Sequence, residues 1–276
     1  MNGPASRPPT ALLLSPHLDD VAFSCGGAAS ALCRRGWRVV VATVFTASVA
    51  DPDGFALACQ LDKGLPPGAD YMAIRRGEDE AACRALGPGV EPRWLGLAEA
   101  PHRGYESAAA LFADARDDDP AGDDAARLIG ALVGELAPDL VLAPRAVGGH
   151  VDHRQVVAAA LGLGGLGDRL AWYLDLPYAE RFPGAPGDPR PPGGRVEAAI
   201  PLGPLDLAAK LDGCARHASQ VPFQFGGEAA MRARLAAFAA AEASRFGHRG
   251  HAETFLVDAA LVGRHGGLFL RPGRGA

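Results

Sequence analysis

Apolar residues fall into short continuous runs that alternate with segments of helical spacing. Residues 11–14 (ALLL) and the β-branched stretch 37–45 (WRVVVATVF) predict buried strands. Between them, residues 21–35 predict a helix closed by Gly36, which tolerates a left-handed cap. Residues 75–86 (RRGEDEAACRAL) predict a second helix, stopped at Gly87 and followed by a short strand at 93–97. Leu128, Ile129, Leu132, Val133 and Leu136 share one helical face within 125–136. A strand at 139–143, a helix at 153–161 and a strand at 170–176 (LAWYLDL) come next. Two more helices, at 205–218 and 228–246, precede a last strand at 254–257, expected at the sheet edge.

The alternation of strand and helix predicts a single α/β domain over residues 1–276. It would be Rossmann-like, with a mostly parallel sheet and helices on both faces. Ligands of such sheets bind beyond the carboxyl ends of the strands. The Gly-, Pro- and Asp-rich segment 51–70 predicts an exposed loop with some helix. The Pro/Gly loop at 181–195 (RFPGAPGDPRPPGGR) is expected to be an insertion near the substrate opening. Too little core-forming chain follows it for an independent domain.

Composition narrows the field. A hydrophobic content of 48% in 276 residues supports a substantial core. The balance of 27 basic against 32 acidic residues argues against a nucleic-acid-binding surface. No apolar stretch approaches the roughly 18 residues of a membrane span, and the N-terminus predicts no secretory signal. Cys25, Cys33, Cys59, Cys83 and Cys214 form no Cys-x-x-Cys pair, which fits reduced thiols in a cytoplasmic protein. No Gly-x-Gly-x-x-Gly lies between the first strand and its helix, and no phosphate-loop or Gly-x-Ser-x-Gly pattern occurs, which points away from nucleotide binding and serine hydrolysis. Oligomeric state leaves no mark on the sequence.

Two polar clusters interrupt this pattern, each immediately after a predicted strand. His17-Leu18-Asp19-Asp20 follows the first, and His150-Val151-Asp152-His153 follows the strand at 139–143. Alone, either has an ordinary explanation: an Asp capping the next helix, or histidines on a solvated turn. Together they offer the neutral imidazoles and carboxylates of a divalent-metal site, with a carboxylate left over as a base. A catalytic zinc usually takes three protein ligands plus water. A parallel sheet would bring both clusters to one edge despite their separation in sequence.

Pro16-His17-Leu18-Asp19-Asp20-Val21 and His150-Val151-Asp152-His153 resemble the paired motifs of the LmbE/PIG-L family of zinc-dependent N-deacetylases. That family carries a Pro-His-Pro-Asp-Asp-Glu type motif and a His-x-Asp-His motif in this order. Weaker similarities lie at Arg75-Arg76-Gly77-Glu78, at Lys210 with His217-Ala218-Ser219-Gln220, and at Ala252-Glu253-Thr254-Phe255, so the resemblance runs from about residue 12 to 257.

The resemblance implies that His17, Asp20 and His153 hold Zn2+, or another divalent metal, with one position left for water. It makes Asp19 the general base and a protonated His150 the oxyanion partner, with Asp152 orienting a histidine. Arg75 and Glu99 would contact sugar hydroxyls. The implied reaction removes an acetyl or acyl group from the amide nitrogen of a small N-acylated amino sugar or glycoside. Leu18 stands where the family has Pro, and Val21 where it has Glu. The latter removes a polar partner of the kind that tunes metal affinity. Two other functions share the scaffold: a zinc hydrolase of another amide or ester, and a non-catalytic metal- or sugar-binding module. Binding alone does not need the spare carboxylate of Asp19, which favours an enzyme.

Overall fold

In the computed structural model, which describes residues 7–184 and 195–271, the N-terminal half alternates strand and helix. It runs through β1 (Thr10–Ser15), α1 (Asp20–Arg34), β2 (Arg38–Phe45), α2 (Gly54–Leu61), α3 (Tyr71–Leu86), β3 (Val90–Leu97), α4 (Ala121–Leu136), β4 (Leu140–Pro144), α5 (Val151–Gly162) and β5 (Leu170–Tyr173). The remainder comprises α6 (Tyr178–Arg181), β6 (Arg195–Leu202), α7 (Pro204–Ala215), α8 (Val221–Phe225), α9 (Glu228–Arg245), β7 (His251–Asp258) and α10 (Ala259–Arg264).

The strands make one sheet in the order β3-β2-β1-β4-β5-β7-β6. The first five are parallel, and β7 runs antiparallel to both β5 and β6. Side chains of a strand alternate between faces, and β1 uses both faces fully. Ala11 and Leu13 pack with α1, α3 and α10, whereas Leu12 and Leu14 pack with α4 and α5. The expected α/β fold with helices on both faces is therefore observed. The connections leave β1 toward β2 and reach β4 from β3, so the strand order reverses beside β1. A crevice opens there, at the carboxyl ends of β1 and β4.

Several local expectations change. The last strand is interior, because β6 pairs along its whole length and takes the edge position. Its sequence, RVEAAIPL, carries Ala and Pro where a strong strand signal would carry β-branched residues. Residues 185–194 of the Pro/Gly loop lie outside the described residues; at its ends Arg181 closes α6 and Arg195 opens β6. Helix α3 starts at Tyr71, four residues ahead of expectation, because the Asp70 side chain accepts the Ala73 amide at 2.8 Å and caps it. The 51–70 segment contains α2, in keeping with a loop holding some helix. All five cysteines are unpaired. Among the described residues no helix is long and apolar enough to cross a membrane.

Candidate metal centre and active-site pocket

The turn after β1 is built by its own side chains. Ser15 Oγ donates to the His17 carbonyl at 2.5 Å and accepts the Val21 amide at 3.2 Å, while the His17 amide donates to Asp20 Oδ2 at 2.8 Å. Asp19 is the N-cap residue of α1, yet its side chain makes no capping hydrogen bond. The ordinary explanation for that carboxylate fails. Leu18 and Val21 are buried, Val21 in the core beneath α1.

The turn after β4 is tied down by a residue the sequence reading missed. Asp175 Oδ2 accepts the amides of Arg145 and Val147, each at 3.0 Å, and Asp175 Oδ1 meets His153 Nδ1 at 2.7 Å. Gly148 has a φ of +90°, and a Cβ there would lie 3.0 Å from the Tyr178 ring. His150 caps α5, its Nδ1 accepting the Asp152 amide at 3.2 Å.

The two turns meet. His17 Nδ1 and His153 Nε2 each lie 3.3 Å from Asp20 Oδ2. These three residues offer donor atoms within 4.8 Å of one another, as do His17, His150 and Asp152. Two observations select the first set. His153 Nε2 is buried with no hydrogen-bond partner among the described residues, the mark of an atom meant for another ligand. Each histidine of that set is also oriented by a carboxylate at its other nitrogen. His17 Nε2 meets Asp152 Oδ2 at 2.9 Å, and His153 meets Asp175. Carboxylate–histidine pairs are the usual outer support of a metal site. Asp152 is itself fixed by the Ala100 amide at 3.1 Å and Arg103 Nη2 at 2.8 Å.

Charge follows the same logic. Burial works against a charged imidazole, but Asp152 and Asp20 hold His17 well above its ordinary pKa. Asp20 and Asp175 likewise raise His153 against its burial. Burial disfavours charge on Asp20 too, yet His153 and His17 hold its carboxyl well below the usual range. Three carboxylates around two imidazoles thus call for positive charge at one point, and a divalent cation fits the donor set. His150 differs: burial pushes its pKa down to about 3. Its Nδ1 accepts a backbone N–H, which leaves Nε2 as the ring's free donor position. Both observations run against the expectation of a protonated His150.

Asp19 stands next to the donor set. Burial raises its pKa, and the Arg75 guanidinium opposes that, with Nη2 3.1 Å from Asp19 Oδ1. Arg75 also pairs with Glu99 through Nη1 and lies 5.2 Å from the Tyr71 ring centre. The two residues expected at the sugar are therefore bound to each other, and Arg75 also to Asp19. All three line a cavity of about 360 Å³ together with His17, Asp20, His150 and Asp152. The rest of the cavity lining is largely aromatic, with Phe55, Tyr71, Phe112, Tyr178 and Phe223. There Lys63 Nζ sits 4.5 Å from the Phe223 ring centre.

Asp175 had left a signal, a single carboxylate inside the apolar run LAWYLDL. Arg103 and the aromatic side left none, since they come from turns and short helices far apart in sequence.

Fold and site together define a Rossmann-like α/β protein with a candidate two-histidine, one-carboxylate metal site at its switch point. Residues 12–163 match the family described as PIG-L, GlcNAc-PI de-N-acetylase, and the chain belongs to that family. The 2'-N-acetylparomamine deacetylase of Streptomyces fradiae is 41% identical over 170 residues, which cover 61% of this chain. That match spans 57% of the relative's length. Among solved structures, the zinc-inhibited form of teicoplanin deacetylase Orf2 is similar with a TM-score of 0.75 at 27% identity, over 90% of this chain and 97% of that one. The A40926 pseudoaglycone deacetylase Dbv21 matches with a TM-score of 0.73 at 26% identity, over 95% and 98% of the two chains.

Proposed function

We propose that this protein is a zinc-dependent N-deacetylase that removes an acetyl or acyl group from the amide nitrogen of an amino sugar or glycoside. The observation that carries this reading is the convergence of His17 Nδ1, Asp20 Oδ2 and His153 Nε2 beside a carboxylate, Asp19, that neither caps its helix nor belongs to the donor set. Relatives named as deacetylases of acetylated paromamine and of teicoplanin support an amino-sugar amide as the substrate. The cavity lies within the range of about 300–1,000 Å³ usual for small-ligand sites. Five unpaired cysteines suit a reducing, cytoplasmic setting.

His17, Asp20 and His153 hold the metal. When bound, zinc supplies a Lewis acid for the amide carbonyl and lowers the pKa of water to about 7. Asp19 accepts the proton of the attacking water and returns it to the departing amine. Its burial strengthens it as an acceptor, and Arg75 keeps it charged and aimed. His150 donates its Nε2 proton to the oxyanion as a neutral imidazole. Asp152 orients His17 and Asp175 orients His153. Glu99 and Arg75, on the cavity wall, take sugar hydroxyls.

The test is release of free amine from a panel of N-acetylated amino sugars and glycosides by the zinc-loaded protein. Hydrolysis that stops on chelation and returns with zinc is expected. Tight zinc binding without hydrolysis across amides and esters would instead mark a binding module.

A further inference from the structure

Helix α1 carries Asp19 at its N-cap and Asp20 in its first turn, and it does not run straight. Cys25 has φ −138° and ψ 24°, outside helical geometry, so a first segment bearing the site is joined at a kink to a second segment. In a continuous helix the amides of Gly27 and Ala28 donate to carbonyls four residues back. Here both donate to the Glu253 carboxylate of β7, Gly27 to Oε1 at 3.1 Å and Ala28 to Oε2 at 2.6 Å. Lys210 of α7 closes the gap. Its Nζ lies 2.5 Å from Glu253 Oε1 and 3.4 Å from the Ser24 carbonyl, on the other side of the kink.

Lys210 and Glu253 are 1% and 5% exposed, and neither lines the active-site cavity. A buried ion pair is a weak source of stability, because desolvation offsets its attraction. Its placement gives it another use. The Ser24 carbonyl, the ammonium, the carboxylate and two amides form a continuous chain of acceptors and donors across the break in the helix. The carboxylate also sits at the start of the second segment, where the helix dipole favours negative charge. Gly27 permits the approach, since a Cβ there would lie 2.5 Å from Leu202 Cδ1 and 3.0 Å from Glu253 Oε1. On the first segment, Ser24 Oγ accepts the Leu176 amide at 3.0 Å, one residue beyond the Asp175 that orients His153. One short stretch of α1 therefore sets both the ligand Asp20 and the support of the ligand His153.

We infer that Lys210 and Glu253 are positioning residues for the metal centre, holding the kink of α1 so that Asp19 and Asp20 face His17 and His153. This rests on the reading of His17, Asp20 and His153 as ligands and Asp19 as base. The test is the double variant Lys210→Met with Glu253→Gln, which removes both charges together and leaves no buried ion without a partner. Its metal-free form should melt close to the wild type. Its zinc dissociation constant should rise about 10- to 100-fold, as for lost outer support of a metal site, and kcat at saturating zinc should fall with KM unchanged. Amide exchange on the wild type supplies a second measurement that does not depend on the variant folding: zinc should slow exchange at Gly27 and Ala28 as well as in the first turn of α1. Wild-type zinc affinity and kcat in the folded double variant would overturn the inference, as would zinc protection that stops short of Gly27. A wild-type protein that fails to bind zinc would refute the ligand assignment instead.

Discussion

The two sides of the cavity are made differently. On the metal side, buried polar groups are held by several partners each: Asp152 by His17, Ala100 and Arg103, and Asp175 by His153, Arg145 and Val147. The aromatic lining has few polar ties; Phe112 meets Tyr178 and His150 edge to face, and Phe112 and Phe223 are 46% and 54% exposed. The contrast separates two tasks. A site that orders charge in a buried setting must partner its groups, since each unpartnered one is costly, and the atom left over in the donor set, His153 Nε2, faces the proposed metal position. A surface that receives a substrate gains from rings left open for contact. Substitutions on the metal side should therefore act on kcat and metal affinity, and those on the aromatic side on KM.

The comparison can be broken at graded points. His150→Ala should cost the most among the non-ligand residues outside Asp19, about 10²- to 10³-fold in kcat, the usual loss for one oxyanion donor. Zinc content should be unchanged, because His150 is not in the selected donor set; steady-state kinetics with metal analysis checks both. Asp175→Asn should leave the fold intact and raise the zinc dissociation constant about 10- to 100-fold by loosening His153, as read by chelator competition. On the other side, Phe112→Ala or Phe223→Ala should raise KM by about 2- to 10-fold with kcat retained. That matches the loss of a ring contact worth about 0.5–1.5 kcal/mol. A kcat loss at Phe223 as large as that at His150 would erase the distinction between the two sides.

The same contrast explains what the sequence revealed. His17, Asp19, Asp20, His150, Asp152 and His153 were legible because each lies in the turn or the first helical turn that follows a buried parallel strand. Once the strands are aligned, the sheet itself brings such residues together. The aromatic side was not legible, because α2, the turn at Ala110–Phe112, α6 and α8 meet only through tertiary packing. The parallel half of the sheet was legible for the same reason as the motifs, through runs of β-branched and aliphatic residues. Strand β6 was not, since its Ala-rich sequence is held by pairing with β7 rather than by propensity. The role of His150 as a helix cap, which commits Nδ1 and bears on its charge, shows only in three dimensions.

The central claim divides two adjacent carboxylates, Asp20 for the metal and Asp19 for the proton. The direct test is Asp19→Asn, measured for zinc content and for single-turnover hydrolysis of an N-acetylated amino sugar. The account predicts full zinc occupancy with a rate lowered about 10²- to 10⁴-fold, the usual contribution of a positioned general base. Hydrolysis at the wild-type rate, or loss of the zinc, would contradict it.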